Sequence, residues 1–153
     1  MFVRDFVHVE RPLDEVRARL VSEPAVRLRP LARRAYDESE VLRGLLAGTG
    51  HALPPGSSEV ELAVGPVRLR DDALVLPMLW GPGTDHPLLP PIEADLEVAP
   101  VGSEWTQLTL VGNYTRRPSG ALRRRDDLLL HRVLEASVRS FLVAVARWLE
   151  EEA

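Results

Sequence analysis

Residues 94–114, ADLEVAPVGSEWTQLTLVGNY, and 128–149, LLLHRVLEASVRSFLVAVARWL, carry two different periodicities, and the switch between them decides the fold. Ile92, Ala94, Leu96 and Val98 alternate with Glu93, Asp95 and Glu97. Period two marks a half-buried strand, because successive side chains of an extended chain point to opposite faces. Gly102 then turns the chain into a second long strand, Trp105 to Tyr114. In the later block the period is that of a helix. At 100° per residue Leu130, Val133, Leu134, Val138, Phe141, Val145 and Trp148 share one face, and Arg132, Glu135, Arg139 and Glu150 take the opposite one. The pattern predicts a helix from about Asp126 to Glu151, about 38 Å long. At about 1.5–3 kcal/mol per buried large side chain, it is a principal stabilising element.

Working outward, Leu74, Leu76, Met78 and Trp80 read as a strand whose Pro77 calls for an edge position or a bulge. Val60, Leu62 and Val64 alternate in the same way, as do Val67 and Leu69, with turns at Gly65-Pro66 and Asp71-Asp72. Strands this closely spaced imply an antiparallel meander. Residues 2–10, FVRDFVHVE, suit a strand. Pro12 and the acidic Asp14 and Glu15 then open a short helix over 12–21, whose apolar stripe is Leu13, Val16 and Leu20. Pro24 and Pro30 limit any regular element over 22–36. Asp37 can cap a second short helix through Val41, Leu42, Leu45 and Leu46, ended by Gly48 and Gly50. Residues 51–58 form a loop. No repeat is present, and 153 residues fit a single domain, 1–153.

The order of strand, two short helices, meander and long amphipathic helix resembles the START-like, helix-grip superfamily, also called SRPBCC. Val7, Val9, Pro12 and Val16 are similar to its V-x-V-x-x-P-x-x-x-V opening, and the two blocks quoted first are similar to its last strand pair and gripping helix. The resemblance covers nearly the whole chain and rests on packing patterns, not on catalytic signatures. It implies an α+β fold in which a curved antiparallel β-sheet wraps around a long C-terminal α-helix, with two short helices after the first strand. It further implies a cavity for a small hydrophobic or amphipathic molecule between sheet and helix. The positions expected to face that space are Leu74, Leu76, Met78 and Trp80, then Leu108, Leu110 and Tyr114, then Leu134, Ser137, Phe141 and Ala144. If these side chains meet in the middle, the space closes.

Composition narrows the chemistry. No cysteine is present, which excludes a disulfide scaffold, a thiol nucleophile and a thiolate zinc site. The longest apolar run, Ala73 to Trp80, is interrupted by a proline and is too short to span a bilayer as a helix. The net charge is −4, and all 19 basic residues are arginines, mostly scattered; this argues against nucleic acid as the main partner and reads as compositional bias. Charges in the first five residues, where a secretory segment would be apolar, point to the cytoplasm.

No histidine pair among His8, His51, His86 and His131 has metal-ligand spacing, so no metal or cofactor is expected. His86 follows Asp85 in a loop, but adjacent side chains rarely face one another. His131, at the border of the apolar helix face, reads as a hydrogen-bonded, partly buried histidine. Glu93, Asp95 and Glu97 read as a solvent face. The segment RRPSGALRRR, residues 116–125, reads as a solvated loop or protein contact, with phosphate binding as the sharper alternative.

Three functions therefore stay open. The first is a non-catalytic binder of a small hydrophobic molecule. The second is an enzyme of the polyketide cyclase or aromatase type, using polar groups such as Tyr114 or Ser137. The third is a protein-interaction module with a closed cavity. A homodimer is compatible with all three.

Overall fold

The alternating segments pair as their periodicity requires. The computed structural model describes residues 1–47, 60–82, 91–114 and 124–152. Strands β1 (Phe2–Val9), β2 (Val60–Val64), β3 (Arg68–Arg70), β4 (Ala73–Pro82), β5 (Ile92–Val101) and β6 (Trp105–Tyr114) form one curved antiparallel sheet. Its order is β1-β6-β5-β4-β2, with β3 also paired to β4. Helices α1 (Leu13–Val21) and α2 (Pro24–Ala47) follow β1, and α3 (Arg124–Glu150) closes the chain. The helix-grip fold expected from the sequence is the fold observed.

Register decides which side chains look inward. Leu74, Leu76 and Met78 of β4 face Val98, Leu96 and Ala94 of β5, which face Leu108, Leu110 and Gly112 of β6. Most of these side chains are buried against the helices, whereas Glu93 on the alternate phase is exposed, as are Phe2, Phe6 and Trp105. Pro77 illustrates how the sheet tolerates an awkward residue. Val64 of β2 pairs with Met78 and Arg68 of β3 with Val75, so the three residues linking β2 to β3 face two of β4, a bulge. The Pro77 carbonyl accepts from Gly65 N–H at 2.8 Å, so its missing N–H also points at the bulge, where no ladder bond is lost. A Cβ on Gly65 would lie 2.9 Å from Pro77 Cγ, so only glycine fits there without displacement.

The second helix differs from expectation. It is 24 residues long and passes through Pro30 without a break. Pro24 occupies the first turn, where its absent N–H is no loss, and Val26 and Arg27 N–H groups bond back to the Glu23 carbonyl. Pro30 can donate nothing to the Val26 carbonyl, but both residues lie on the exposed face, where water replaces the bond. Leu28, Ala32, Ala35, Tyr36 and Ser39, a stripe of helical period, are buried on the other face. That stripe packs on α3 and β2 and outweighs the proline.

Helix α3 is close to the sequence-predicted span. Val133, Leu134, Val138, Phe141, Leu142, Val145 and Leu149 are buried, and Arg132, Glu135, Arg139 and Glu150 are exposed. Its C-terminus is held by Arg19 of α1, whose Nη1 donates to the carbonyls of Trp148 and Leu149, both at 2.9 Å. A cation there also meets the negative end of the helix dipole. Along the free edge of β1, Arg139 Nη1 donates to the Phe6 carbonyl at 2.9 Å and pairs with Asp5 at 3.2 Å. Just beyond, Glu10 N–H donates to Glu150 at 2.9 Å.

Candidate functional site

One row of the sheet gathers the polar groups. Trp80 at the end of β4 pairs with Ile92 at the start of β5, and Ile92 pairs with Tyr114 at the end of β6. Neighbouring strands lie about 4.8 Å apart, so the backbones of Trp80 and Tyr114 are separated by about 10 Å along this row. Both side chains lie on the inner face, at the end of the sheet where β4 leaves and β5 begins.

Trp80 is 1% exposed, and its ring centroid lies 5.3 Å from that of Phe141 on α3. Sheet and helix therefore touch here through two aromatic rings. Among the described residues the buried indole Nε1–H finds no hydrogen-bond partner. An unmade buried donor costs about 1–3 kcal/mol, a penalty that phenylalanine in the same place would not carry.

Tyr114 is 2% exposed, and its hydroxyl lies 2.8 Å from His131 Nδ1. His131 Nε2 lies 3.2 Å from a carboxylate oxygen of Glu135, one turn further along α3. The Tyr114 hydroxyl is also 3.2 Å from Met1 Sδ, and the Met1 amino group donates to the Tyr114 carbonyl at 2.6 Å. The side chains are graded in exposure, His131 at 26% and Glu135 at 55%. His131 is thus the hydrogen-bonded, partly buried histidine that its place at the face border suggested. Its link to Tyr114 crosses an interval of 17 residues and leaves no periodic trace in the sequence.

The remaining expected site residues divide. Leu74, Leu76, Met78, Leu108, Leu110, Leu134 and Phe141 are buried beneath the sheet with Trp80 and Tyr114. Ser137 is buried too, but its hydroxyl donates to the Val133 carbonyl at 2.9 Å within the helix. Ala144 stands apart. It is half-buried and lines a groove of about 360 Å³ on the outer surface, between Leu31 and Ala35 of α2 and Val143 and Trp148 of α3.

The acidic face behaves as expected. Glu93, Asp95 and Glu97 point away from the core, and Glu97 pairs with Arg70 at 3.8 Å. His8 lies on the outer face, 3.3 Å from the Gln107 side-chain oxygen. His51, His86 and residues 116–123 of the arginine segment lie outside the described residues, while Arg124 and Arg125 open α3. Among the described residues no three His, Asp or Glu side chains are grouped to hold a metal ion. No helix among them is long and apolar enough to cross a membrane.

No family model matches the chain, and no curated protein sequence does. Solved structures do. The chain is similar to the Zhui aromatase/cyclase from a Streptomyces species, with a TM-score of 0.53 and 15% identity over 98% of this chain and 93% of that one. It is similar to a conserved protein from Geobacillus kaustophilus, with a TM-score of 0.53 and 11% identity over 95% and 93%. At these identities the likeness is one of fold. The chain has a helix-grip architecture.

Proposed function

We propose that the chain, acting as one START-like domain over residues 1–153, binds a small hydrophobic or amphipathic molecule between the inner face of the sheet and α3. The observation that carries this reading is the Nε1–H of Trp80, buried among apolar side chains with no hydrogen-bond partner among the described residues. A donor in such surroundings is satisfied by a ligand oxygen or nitrogen, and apolar walls with few polar groups are what binding sites for small molecules offer. The ligand then has an apolar body and at least one hydrogen-bond acceptor. Leu76, Met78, Leu110, Leu134 and Phe141 supply the apolar contact. The reading needs neither cofactor nor metal, and it takes the protein to be cytoplasmic.

A second reading, an enzyme of the polyketide cyclase or aromatase type, is favoured by the orientation of Tyr114 by His131 and by the activity named for the Zhui protein. Tryptophan emission tests the first reading. Titration with an apolar dye or fatty acid is expected to change the emission of Trp80, and Trp80→Phe to abolish the change. Trp105, 42% exposed on the outer face, is the internal control. A folded protein that takes up no apolar probe over a broad panel, and carries no small molecule in native mass spectra, refutes binding and favours the interaction module. Turnover of a co-purified molecule would promote the enzyme.

A further inference from the structure

We propose that the outer face of the sheet is the interface of a two-fold symmetric dimer, in which Arg4 of β1 pairs with Asp95 of β5 in a second copy of the chain. The inference is independent of what the inner face binds. Register places the two residues. Arg4 and Asp95 are both level with Val111 of β6, so they share one row of the outer face with β6 between them. Two strand spacings, about 10 Å, separate their backbones. Neither side chain has a partner among the described residues, although Asp5 pairs with Arg139 at 3.2 Å and Glu97 with Arg70 at 3.8 Å. The same face is rich in exposed rings: Phe2, Phe6 and Trp105 are 56%, 50% and 42% exposed. At about 150–250 Å² for an aromatic side chain, these three leave about 300 Å² of ring surface in water. Burying it is the driving force for association.

Symmetry decides the partner's orientation. Two sheets stacked face to face keep their strands within about 30° of each other, so a two-fold axis between them runs either across the strands or along them. An axis across the strands lays each strand on its own copy. It sets Glu93, Asp95 and Glu97 against themselves and Arg4 against the strand of the other Arg4. An axis along β6 exchanges the flanks, so that β1 lies over β5 and each row lies over itself. Arg4 then stands opposite Asp95 of the second copy, and Asp95 opposite the second Arg4, two ion pairs related by symmetry. Curvature fits the same axis. The sheet bends around α3, so its outer face is convex, and stacked copies approach most closely at β6 and least at the flanks. The middle of β6 presents Thr109 and Val111, whereas the β1 flank presents the longer Phe2, Arg4 and Phe6, which fill the wider gap. Overlap of three strands, about 14 Å by 30 Å, covers about 400 Å² in projection. A standard interface takes about 800 Å² of accessible surface from each partner, so this dimer lies at the small end and depends on concentration.

The test follows the mass of the whole chain by sedimentation over a concentration series up to about 1 mM. The expected result is a rise from 17.0 kDa towards twice that mass. Arg4→Asp and Asp95→Arg should each weaken association at least about tenfold, because each alone sets like charges together at both symmetric contacts. An equal mixture of the two variants should restore it as a mixed dimer, with opposite charges at both contacts, and so should the two substitutions combined in one chain. Asn113→Arg, at an exposed position on β6, would meet its own copy across the axis and should also weaken association. Circular dichroism establishes that each variant is folded. A wild-type chain that stays at 17.0 kDa to the top of the series overturns the dimer. A dimer that tolerates all three single substitutions uses another face and overturns it too. So does a mixture of folded Arg4→Asp and Asp95→Arg chains that associates no better than either alone.

Discussion

Replacing Phe141 by alanine should cut deeper into stability than any exposed change on α3. Phe141 is fully buried, lies 5.3 Å from the Trp80 ring and sits between helix and sheet. Truncation removes the transfer energy of the ring and leaves a cavity whose walls, β4 and α3, are too constrained to collapse. The expected loss is about 3–5 kcal/mol, within which the aromatic pairing itself contributes about 0.5–1.5 kcal/mol. Against a total stability of about 5–15 kcal/mol, this is a large share. With a urea slope near 2 kcal/mol/M, the midpoint should fall by about 2 M. Arg132→Ala, on the exposed face of the same helix, should change stability by less than about 0.5 kcal/mol. Urea melts followed by far-ultraviolet circular dichroism give both values. A Phe141→Ala midpoint no lower than that of Arg132→Ala would refute the packing scheme, since it would put the wrong face of α3 against the sheet.

Other expectations follow from single contacts. Pro30→Ala restores a hydrogen bond in the exposed interior of α2 and should stabilise by about 1–2 kcal/mol, the helix gain less the lost stiffness of the unfolded chain. The thermal midpoint should then rise by several degrees, and a fall would mean that α2 is not continuous there. Gly112→Ala would bring a Cβ to 2.8 Å from Ile92 Cγ2 and should cost about 1–3 kcal/mol in the same melts. Arg19→Met keeps the aliphatic stem but releases two carbonyls of α3, and should cost about 1–2 kcal/mol in urea, while Arg17→Met, exposed two positions away from that contact, should be neutral.

The strands and α3 are legible in the sequence because their apolar residues repeat at two and at 3.6 with charges on the alternate phase. Asp71-Asp72 and Gly102 announce their turns for a local reason, since Asp71 and Gly102 adopt positive φ, a conformation these residues tolerate. Helix α2 is illegible for an equally physical reason. Pro30 reads as a breaker, and the buried stripe contains Ala32, Ala35 and Ser39, which carry little hydrophobic signal. Whether a proline breaks a helix depends on whether its turn faces water, and that is a tertiary fact. Most inner-face site residues follow from strand phase, whereas Ala144 does not, because its helical angle lies at the border where α2 packs. Contacts such as Tyr114 with His131 and Arg19 with Leu149 join side chains through folding alone, so no spacing rule reports them.

Among the described residues, the first strand has its only sheet partner near the far end of the chain, with Phe2 opposite Asn113. On a ribosome adding about 5–20 residues per second, β1 waits roughly 5–20 s after it is made before β6 exists. Its second protector comes later still, since Arg139 and Glu150 belong to α3. For that interval FVRDFVHV is an extended apolar segment with both edges open, a state prone to joining another nascent chain. Arg4 and Asp5 in its middle then act as gatekeepers during synthesis. The arrangement predicts that yield in the cell depends on charge at these two positions more steeply than the stability of the finished protein does.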